Sequence, residues 1–150
     1  MNDIPVSEEQ AWMRALASAG PDLLESGWEK LAVKPDYRLL RPVETGMTLL
    51  RGRIGGSGRP FNFGEATLTR AAVELAAGER GYAYLLGRRP REAELAAVFH
   101  ALLKTPERRA EVEALIVRPA LTAREAKEAA ERAAVLPTKI DFSTMVRGDG

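Results

Sequence analysis

The sequence predicts an α+β fold: two helices, then an antiparallel sheet of roughly four strands, then three helices and an extended C-terminal tail. Two observations carry this prediction. Apolar residues recur at helical spacing near both ends of the chain, whereas alternating residues and turn glycines occupy its middle. The length of 150 residues, 45% of them hydrophobic, fits a single domain over 1–150 with one core.

The first two elements are predicted to be short helices. Ser7 and Gln10 have the spacing of a capping box, and Gly20 and Pro21 end the apolar pattern that follows. A second helix comes next, with three apolar residues at i, i+4 and i+7: Leu24, Trp28 and Leu31.

Strands are predicted from residue 37 onward. We expect strands at 37–43 and 47–54, joined in a hairpin by a turn at 44–46, and a second turn at 55–58. Phe61 and Phe63 alternate before Gly64, which is a candidate bulge.

The segment 66–75 is ambiguous by itself. Its threonines and Val73 favour a strand, while its alanines and Glu74 favour a helix. We predict a strand, because Gly78 and the strand 81–86 after it suit a meander.

Three helices are predicted in the C-terminal part. Pro90 begins a helix with apolar residues at i, i+3, i+4 and i+7, and Pro106 begins a helix that ends before Pro119. Thr122 and Glu125 form a second capping box, and Pro137 ends that helix.

Composition excludes several classes of protein. The chain has no cysteine and one histidine, so it cannot build a Cys-based zinc site, an iron–sulfur cluster or a thiol nucleophile. No apolar run is long enough to span a bilayer, and the acidic first ten residues are unlike a secretory signal. We expect a cytoplasmic protein that contacts neither membrane nor nucleic acid.

The basic charge is concentrated in the middle of the chain. Residues 36–91 contain ten arginines, no lysine and five acids, although the whole chain carries a net charge of +1. Arginine suits phosphate, phosphonate and carboxylate, so this block predicts an anionic ligand or an acidic partner surface. Exposed strand faces explain the same arginines without any ligand.

The segment 52–59 has two interpretations. Its glycines with Arg53 and Arg59 could cradle an anion, and Arg70 is a third candidate anion contact. The spacing matches neither a Walker A motif nor a dinucleotide-binding motif, and a tight turn explains the glycines equally well.

His100 and the tail also have alternatives. His100 borders the apolar stripe of its helix, which favours a hydrogen-bonded structural residue over an acid/base role. The tail, 138–150, carries apolar residues without helical period, so it either folds back on the domain or binds a partner. Its candidate interface residues are Phe142, Met145, Val146, Arg147 and Asp149.

Several stretches are typical of one known family. They are residues 43–47, 55–58, the string ATLTRAAV within 63–73, residues 81–82 and 87–88, and a tail that includes TMVRGD. Together they resemble the PhnG family, subunits of the bacterial carbon–phosphorus lyase core complex.

The resemblance implies a role in phosphonate metabolism. It implies assembly with PhnH-, PhnI- and PhnJ-like subunits and work with a PhnL-like protein. There, methylphosphonate displaces adenine from ATP to give alpha-D-ribose 1-methylphosphonate 5-triphosphate, a transferase reaction. In that complex this subunit would supply no catalytic residue and bind no cofactor or metal, and ATP would be a substrate of the complex. The apolar tail, independently of the resemblance, predicts that the isolated subunit self-associates.

A second hypothesis comes from the residues alone. It describes a small independent enzyme or anion-binding protein that uses the Gly/Arg turn and His100.

Overall fold

The computed structural model describes the backbone at residues 4–53 and 60–148. The order of elements confirms the predicted fold class, with a four-stranded antiparallel sheet between two groups of helices. The elements are α1 (Val6–Ser18), α2 (Pro21–Lys30), β1 (Tyr37–Leu39), β2 (Glu44–Arg53), β3 (Pro60–Leu75), β4 (Arg80–Leu86), α3 (Pro90–Leu103), α4 (Pro106–Val112), a π-helical turn (Glu113–Val117) and α5 (Arg118–Gly148).

The first helix begins before the predicted capping box. Val6 is its first residue and Pro5 occupies the N-cap position, with the Pro5 carbonyl accepting hydrogen bonds from the amides of Glu8 and Glu9. Ser7 therefore lies inside the first turn, and no side chain caps the helix. The predicted capping box is wrong, because the fixed geometry of Pro5 starts the helix two residues earlier.

The sheet is built around β3. Both β1 and β2 pair with β3, and β4 pairs with it from Leu68 to Glu74. Residues 68–70 of β3 contact β2 and β4 at once, and residues 73–74 contact β1 and β4 at once. Accordingly, β1 and β2 lie one after the other along the same side of β3.

The predicted hairpin between the first two strands is wrong. Residues 44–46 belong to β2, where Glu44 pairs with Arg70 and Gly46 with Leu68. The 16 residues of β3 provide pairing positions for both strands, so no turn between them is needed. The predicted turn at 55–58 lies outside the described residues.

The ambiguous segment 66–75 is a strand, as predicted. The predicted irregularity near Gly64 is also present, because the register of β2 and β3 shifts between Leu50, which pairs with Gly64, and Arg51, which pairs with Asn62. Phe63 is thus the extra residue of a bulge.

The core lies between one face of the sheet and the helices. Helix α3 packs on β3 and β4 through small residues, and Ala93, Ala96, Ala97 and Ala101 are all fully buried. On the sheet side, Gly81 faces this helix so closely that a Cβ atom there would lie 1.9 Å from the Ala97 carbonyl oxygen. Small side chains on both surfaces permit this short distance between backbones.

The last helices are continuous where we predicted breaks. Pro119 lies inside the helical run, directly after the π turn over Glu113–Val117. A proline ring crowds the carbonyl four residues earlier, at Leu115, and the wider π turn falls at that position. Thr122 is consequently an interior residue of α5, and the predicted second capping box is wrong.

The backbone of α5 also continues past Pro137 to Gly148. The predicted helix end at Pro137 and the extended conformation of the tail therefore differ from the structure. One proline removes a single backbone hydrogen bond, and the residues around it still form theirs. No helix in the described part of the chain is long and apolar enough to cross a membrane.

Candidate interaction surface

The sheet extends beyond the helices that cover its inner face. The pairing of β4 with β3 stops at Leu68, and beyond that residue β2 and β3 continue as a two-stranded extension. We call this extension, residues 47–53 and 60–67, the arm. Its side chains Met47 and Leu49 are 64% and 48% exposed, although their alternation places them on the core side of the sheet. The arm therefore presents apolar side chains to solvent.

Successive residues of β3 direct their backbone hydrogen bonds alternately to the strands on its two sides. The Thr67 carbonyl accepts a hydrogen bond from the Gly87 amide at 2.7 Å on the β4 side, and the Ala72 carbonyl accepts one from the Leu40 amide at 2.9 Å on the other side. Even-numbered residues of β3 consequently bond to β2, and their partners in β2 between 44 and 50 are also even-numbered. The intervening residues of β2 direct their backbone groups to the open edge of the sheet: Thr45, Met47 and Leu49.

The opposite edge, at β4, is partly closed by side chains of α3. The amide of Tyr82 donates a 3.0 Å hydrogen bond to His100 Nδ1, and Lys104 Nζ donates a 2.9 Å hydrogen bond to the Arg80 carbonyl. Among the described contacts, the β2 edge has no counterpart to these two. Of the two edges, β2 is the one available to another chain.

His100 is a buried structural residue in this arrangement, with 2% of its surface exposed. Since Nδ1 accepts from the Tyr82 amide, the ring proton is on Nε2 and is donated to Glu9 Oε1 at 3.0 Å. Burial and the nearby Lys104 lower the pKa of His100 to about 4, against the opposing effect of Glu9, so the ring is neutral at pH 7. Both ring nitrogens are therefore used in hydrogen bonds within the fold.

Thr69 joins the base of the arm to the rest of the domain. Its buried hydroxyl donates to the Gly87 carbonyl at 2.6 Å and accepts from the Arg89 amide at 3.0 Å. Its proton is thereby used, so the 3.0 Å contact with Thr45 has the Thr45 hydroxyl as donor. Sequence reasoning missed this role; the only signal was a threonine at an inward-facing strand position.

The outer face of the sheet carries ion pairs. Glu74 accepts hydrogen bonds from Arg80 and Arg38, both at 2.8 Å, and these two arginines hold the pKa of Glu74 below its usual value. Further along β4, opposite Arg70 and Leu68, lie two exposed side chains, Tyr84 and Leu86. Among the side chains that the structure describes, five arginines within 36–91 pair with an acid of this chain: Arg38, Arg70, Arg80, Arg89 and Arg91.

Arg70 is one of the candidate anion contacts, and Glu44 already occupies its guanidinium. The Arg70 Nη2 to Glu44 Oε2 distance is 2.5 Å, and this contact lowers the pKa of Glu44. The pair lines an open groove of about 450 Å³ together with residues of β2 and Leu68. An anion in this groove would have to displace Glu44 from Arg70.

Replacing Glu44 by glutamine should release Arg70 without measurable loss of thermal stability, since both side chains are about half exposed. If the groove is an anion site held closed by Glu44, phosphate should then raise the melting temperature of Glu44→Gln but not of Glu44→Gln with Arg70→Gln. We expect no phosphate effect in either variant, because an exposed single arginine is a weak anion site. Thermal melts with and without phosphate measure this.

The other predicted site residues are placed as follows. The backbone of Arg53 is part of β2, but its side chain lies outside the part of the chain that the structure describes. Arg59 lies wholly outside that part. Phe142, Met145, Val146 and Arg147 lie on the backbone of α5, with side chains outside the described part, and Asp149 lies beyond it. Their predicted interface role stays a prediction. Among the residues that the structure describes, no group of three or more metal-ligating side chains lies together.

The chain is similar to known proteins over nearly its whole length. The family model described as "Phosphonate metabolism protein PhnG" matches residues 7–148. A relative from Rhizobium meliloti (strain 1021), named "Alpha-D-ribose 1-methylphosphonate 5-triphosphate synthase subunit PhnG", is 44% identical over 150 residues. That match covers 99% of this chain and 94% of the relative. It includes the sheet, the arm and the helices around the core.

Proposed function

Because this chain belongs to the PhnG family of phosphonate metabolism proteins, we propose that it is a non-catalytic, assisting subunit of a carbon–phosphorus lyase complex. In that complex it supports the formation of alpha-D-ribose 1-methylphosphonate 5-triphosphate and adenine from ATP and methylphosphonate. The observation that carries the proposal is the 44% identity, over almost the whole of both chains, to a relative named as that synthase subunit.

The geometry supports an assisting role over a catalytic one. The single histidine is buried and uses both ring nitrogens inside the fold. The described candidate anion contact, Arg70, is paired with Glu44. The surfaces accessible to other molecules are the arm, the open edge of β2, and the outer face of the sheet with Tyr84 and Leu86.

The proposal extends to partners, cofactor and compartment. The partners are PhnH-, PhnI- and PhnJ-like subunits, with a PhnL-like protein. The chain binds no cofactor or metal of its own, ATP is a substrate of the assembled complex, and the complex works in the cytoplasm. Isolated copies associate with one another when these partners are missing.

Reconstitution tests the role directly. The chain is co-expressed with the three partner subunits, and adenine release from ATP and methylphosphonate is measured with the PhnL-like protein added. We expect the complete mixture to release adenine, the chain alone to release none, and omission of the chain to reduce release at least tenfold. Full activity without the chain, or adenine release by the chain alone, would contradict the proposal.

The alternative function, an independent enzyme or anion-binding protein, is not favoured. It needs His100 to reach a ligand, whereas His100 is 2% exposed and bonded to Tyr82 and Glu9. The Gly/Arg turn that it also needs lies outside the described residues.

A further inference from the structure

We propose that the open edge of β2 receives an extended strand from a partner subunit, one with apolar side chains at alternate positions and carboxylates near the end of the arm. This inference rests on the proposed subunit role and identifies the surface that would perform it.

The first reason is the asymmetry of the two sheet edges. At β4, His100 and Lys104 bind an amide and a carbonyl that face away from β3. The equivalent groups of β2 belong to Thr45, Met47 and Leu49 and have no described partner. A long, flat edge without charged or proline residues promotes pairing with another strand, and β2 has neither at 45–50.

The second reason is that the arm, as two strands with exposed apolar side chains, is only weakly stabilised by its own contacts. A two-stranded hairpin without a covered apolar face is marginally stable in water. The arm has that form, with Met47 64% and Leu49 48% exposed on the side that the helices cover elsewhere in the sheet. A third strand on β2 would bring side chains against Met47 and Leu49 and give the arm three strands, the number that the sheet has at residues 68–70 of β3.

The third reason is charge. After Glu44, which is bound by Arg70, β2 contains Arg51 and Arg53 and no acid. A partner strand with carboxylates complements these residues, whereas the β2 strand of a second copy brings the same two arginines, with the occupied Glu44 as its acid. The charge therefore favours a different, acidic chain over a second copy.

Two kinds of variant test this surface. Met47→Pro removes an amide that points to the open edge and leaves the hydrogen bonds to β3 in place, and the preceding Gly46 tolerates a following proline. A double variant, Met47→Thr with Leu49→Thr, keeps every amide and removes the apolar side chains. Val33→Thr is the matched control, because Val33 is 68% exposed and lies outside the sheet.

The measurement is affinity for the co-expressed PhnH-, PhnI- and PhnJ-like subunits, after each isolated variant has been shown to melt cooperatively. We expect at least a tenfold loss for Met47→Pro and for the double threonine variant, and no loss for Val33→Thr. If the proline variant does not fold, the double threonine variant alone decides. Assembly of both with unchanged affinity would overturn the inference while leaving the subunit role intact.

Two further outcomes separate the alternatives. Failure of the unchanged protein to join the partner subunits would contradict the proposed function itself. An isolated protein that is dimeric, and becomes monomeric with Met47→Pro while its assembly is unaffected, would assign the edge to a second copy and overturn the inference. Replacing Arg51 and Arg53 by glutamine should reduce the salt dependence of assembly, and unchanged salt dependence would contradict the acidic partner.

Discussion

Replacing Gly81 by alanine is expected to destabilise the protein by about 3 kcal/mol or more. A Cβ atom at this position would lie 1.9 Å from the Ala97 carbonyl oxygen and 2.6 Å from the Ala101 amide nitrogen. Both are backbone atoms of α3, so no side-chain rotation relieves the contact and the helix must move away from β4. Larger residues such as leucine should prevent folding.

The matched control for this prediction is Gly46→Ala. Gly46 is also a strand glycine, in β2, but a Cβ atom there meets nothing within 4 Å. Urea denaturation of both variants gives the comparison. A Gly81→Ala protein as stable as Gly46→Ala would show that α3 does not pack against β4 at the described distance.

Replacing His100 by leucine is expected to cost about 3 kcal/mol. The substitution places an apolar side chain in the core but leaves the Tyr82 amide without its acceptor, and Glu9 keeps only the 3.5 Å contact with Lys104. His100→Asn is the informative control, because its side-chain oxygen can take the place of Nδ1 and accept from Tyr82. We expect it to recover part of the lost free energy of unfolding.

His100 also predicts a pH dependence with a definite sign. Its pKa is about 6.5 in the unfolded chain and about 4 in the folded protein, so the unfolded state binds the proton first as the pH falls. The stability contribution is complete above pH 6.5 and is lost between pH 6.5 and pH 4, with a slope of up to about 1.4 kcal/mol per pH unit. His100→Asn lacks this component, so the stability difference between the two proteins should shrink over that range.

Phosphonate-dependent growth distinguishes a structural role of His100 from a catalytic one. If His100 is structural, a His100→Asn or His100→Gln variant that still folds at the growth temperature should support growth on methylphosphonate. A folded variant that fails to support growth would mean that His100 has a role beyond packing.

Most elements of the fold could be predicted from local patterns. The helical spacing of Leu95, Val98 and Leu102 identified α3 correctly, and the strand predicted at 81–86 is β4. Helix α3 is buried on every side from Leu95 to Leu103, which the apolar spacing alone did not indicate. The ambiguous segment 66–75 was assigned correctly only with the help of its neighbours. Capping boxes at Ser7 and Thr122 were wrong, since short sequence motifs also occur inside helices.

The candidate surface was harder to predict. The pairing of β2 with β3 places Met47 on the core side of the sheet, but the helices do not extend over it. The central arginines suggested an anion site, yet Arg70 and four others are paired with acids distant or near in sequence. Arg89 and Glu92 have i,i+3 spacing, but the other four pairings and the extent of the helices cannot be obtained from residue spacing.

The sequence by itself determined the α+β fold class, the order of most helices and strands, and the family to which the chain belongs. These properties depend on local period and on residue identity. Only the tertiary structure decided that β1 and β2 share one side of β3, that His100 and Lys104 close the β4 edge, and that the β2 edge stays open. The reason is that strand pairing and burial depend on where elements distant in sequence end in space. Strand β3 extends beyond the end of its pairing with β4 and beyond the helices that cover its inner face.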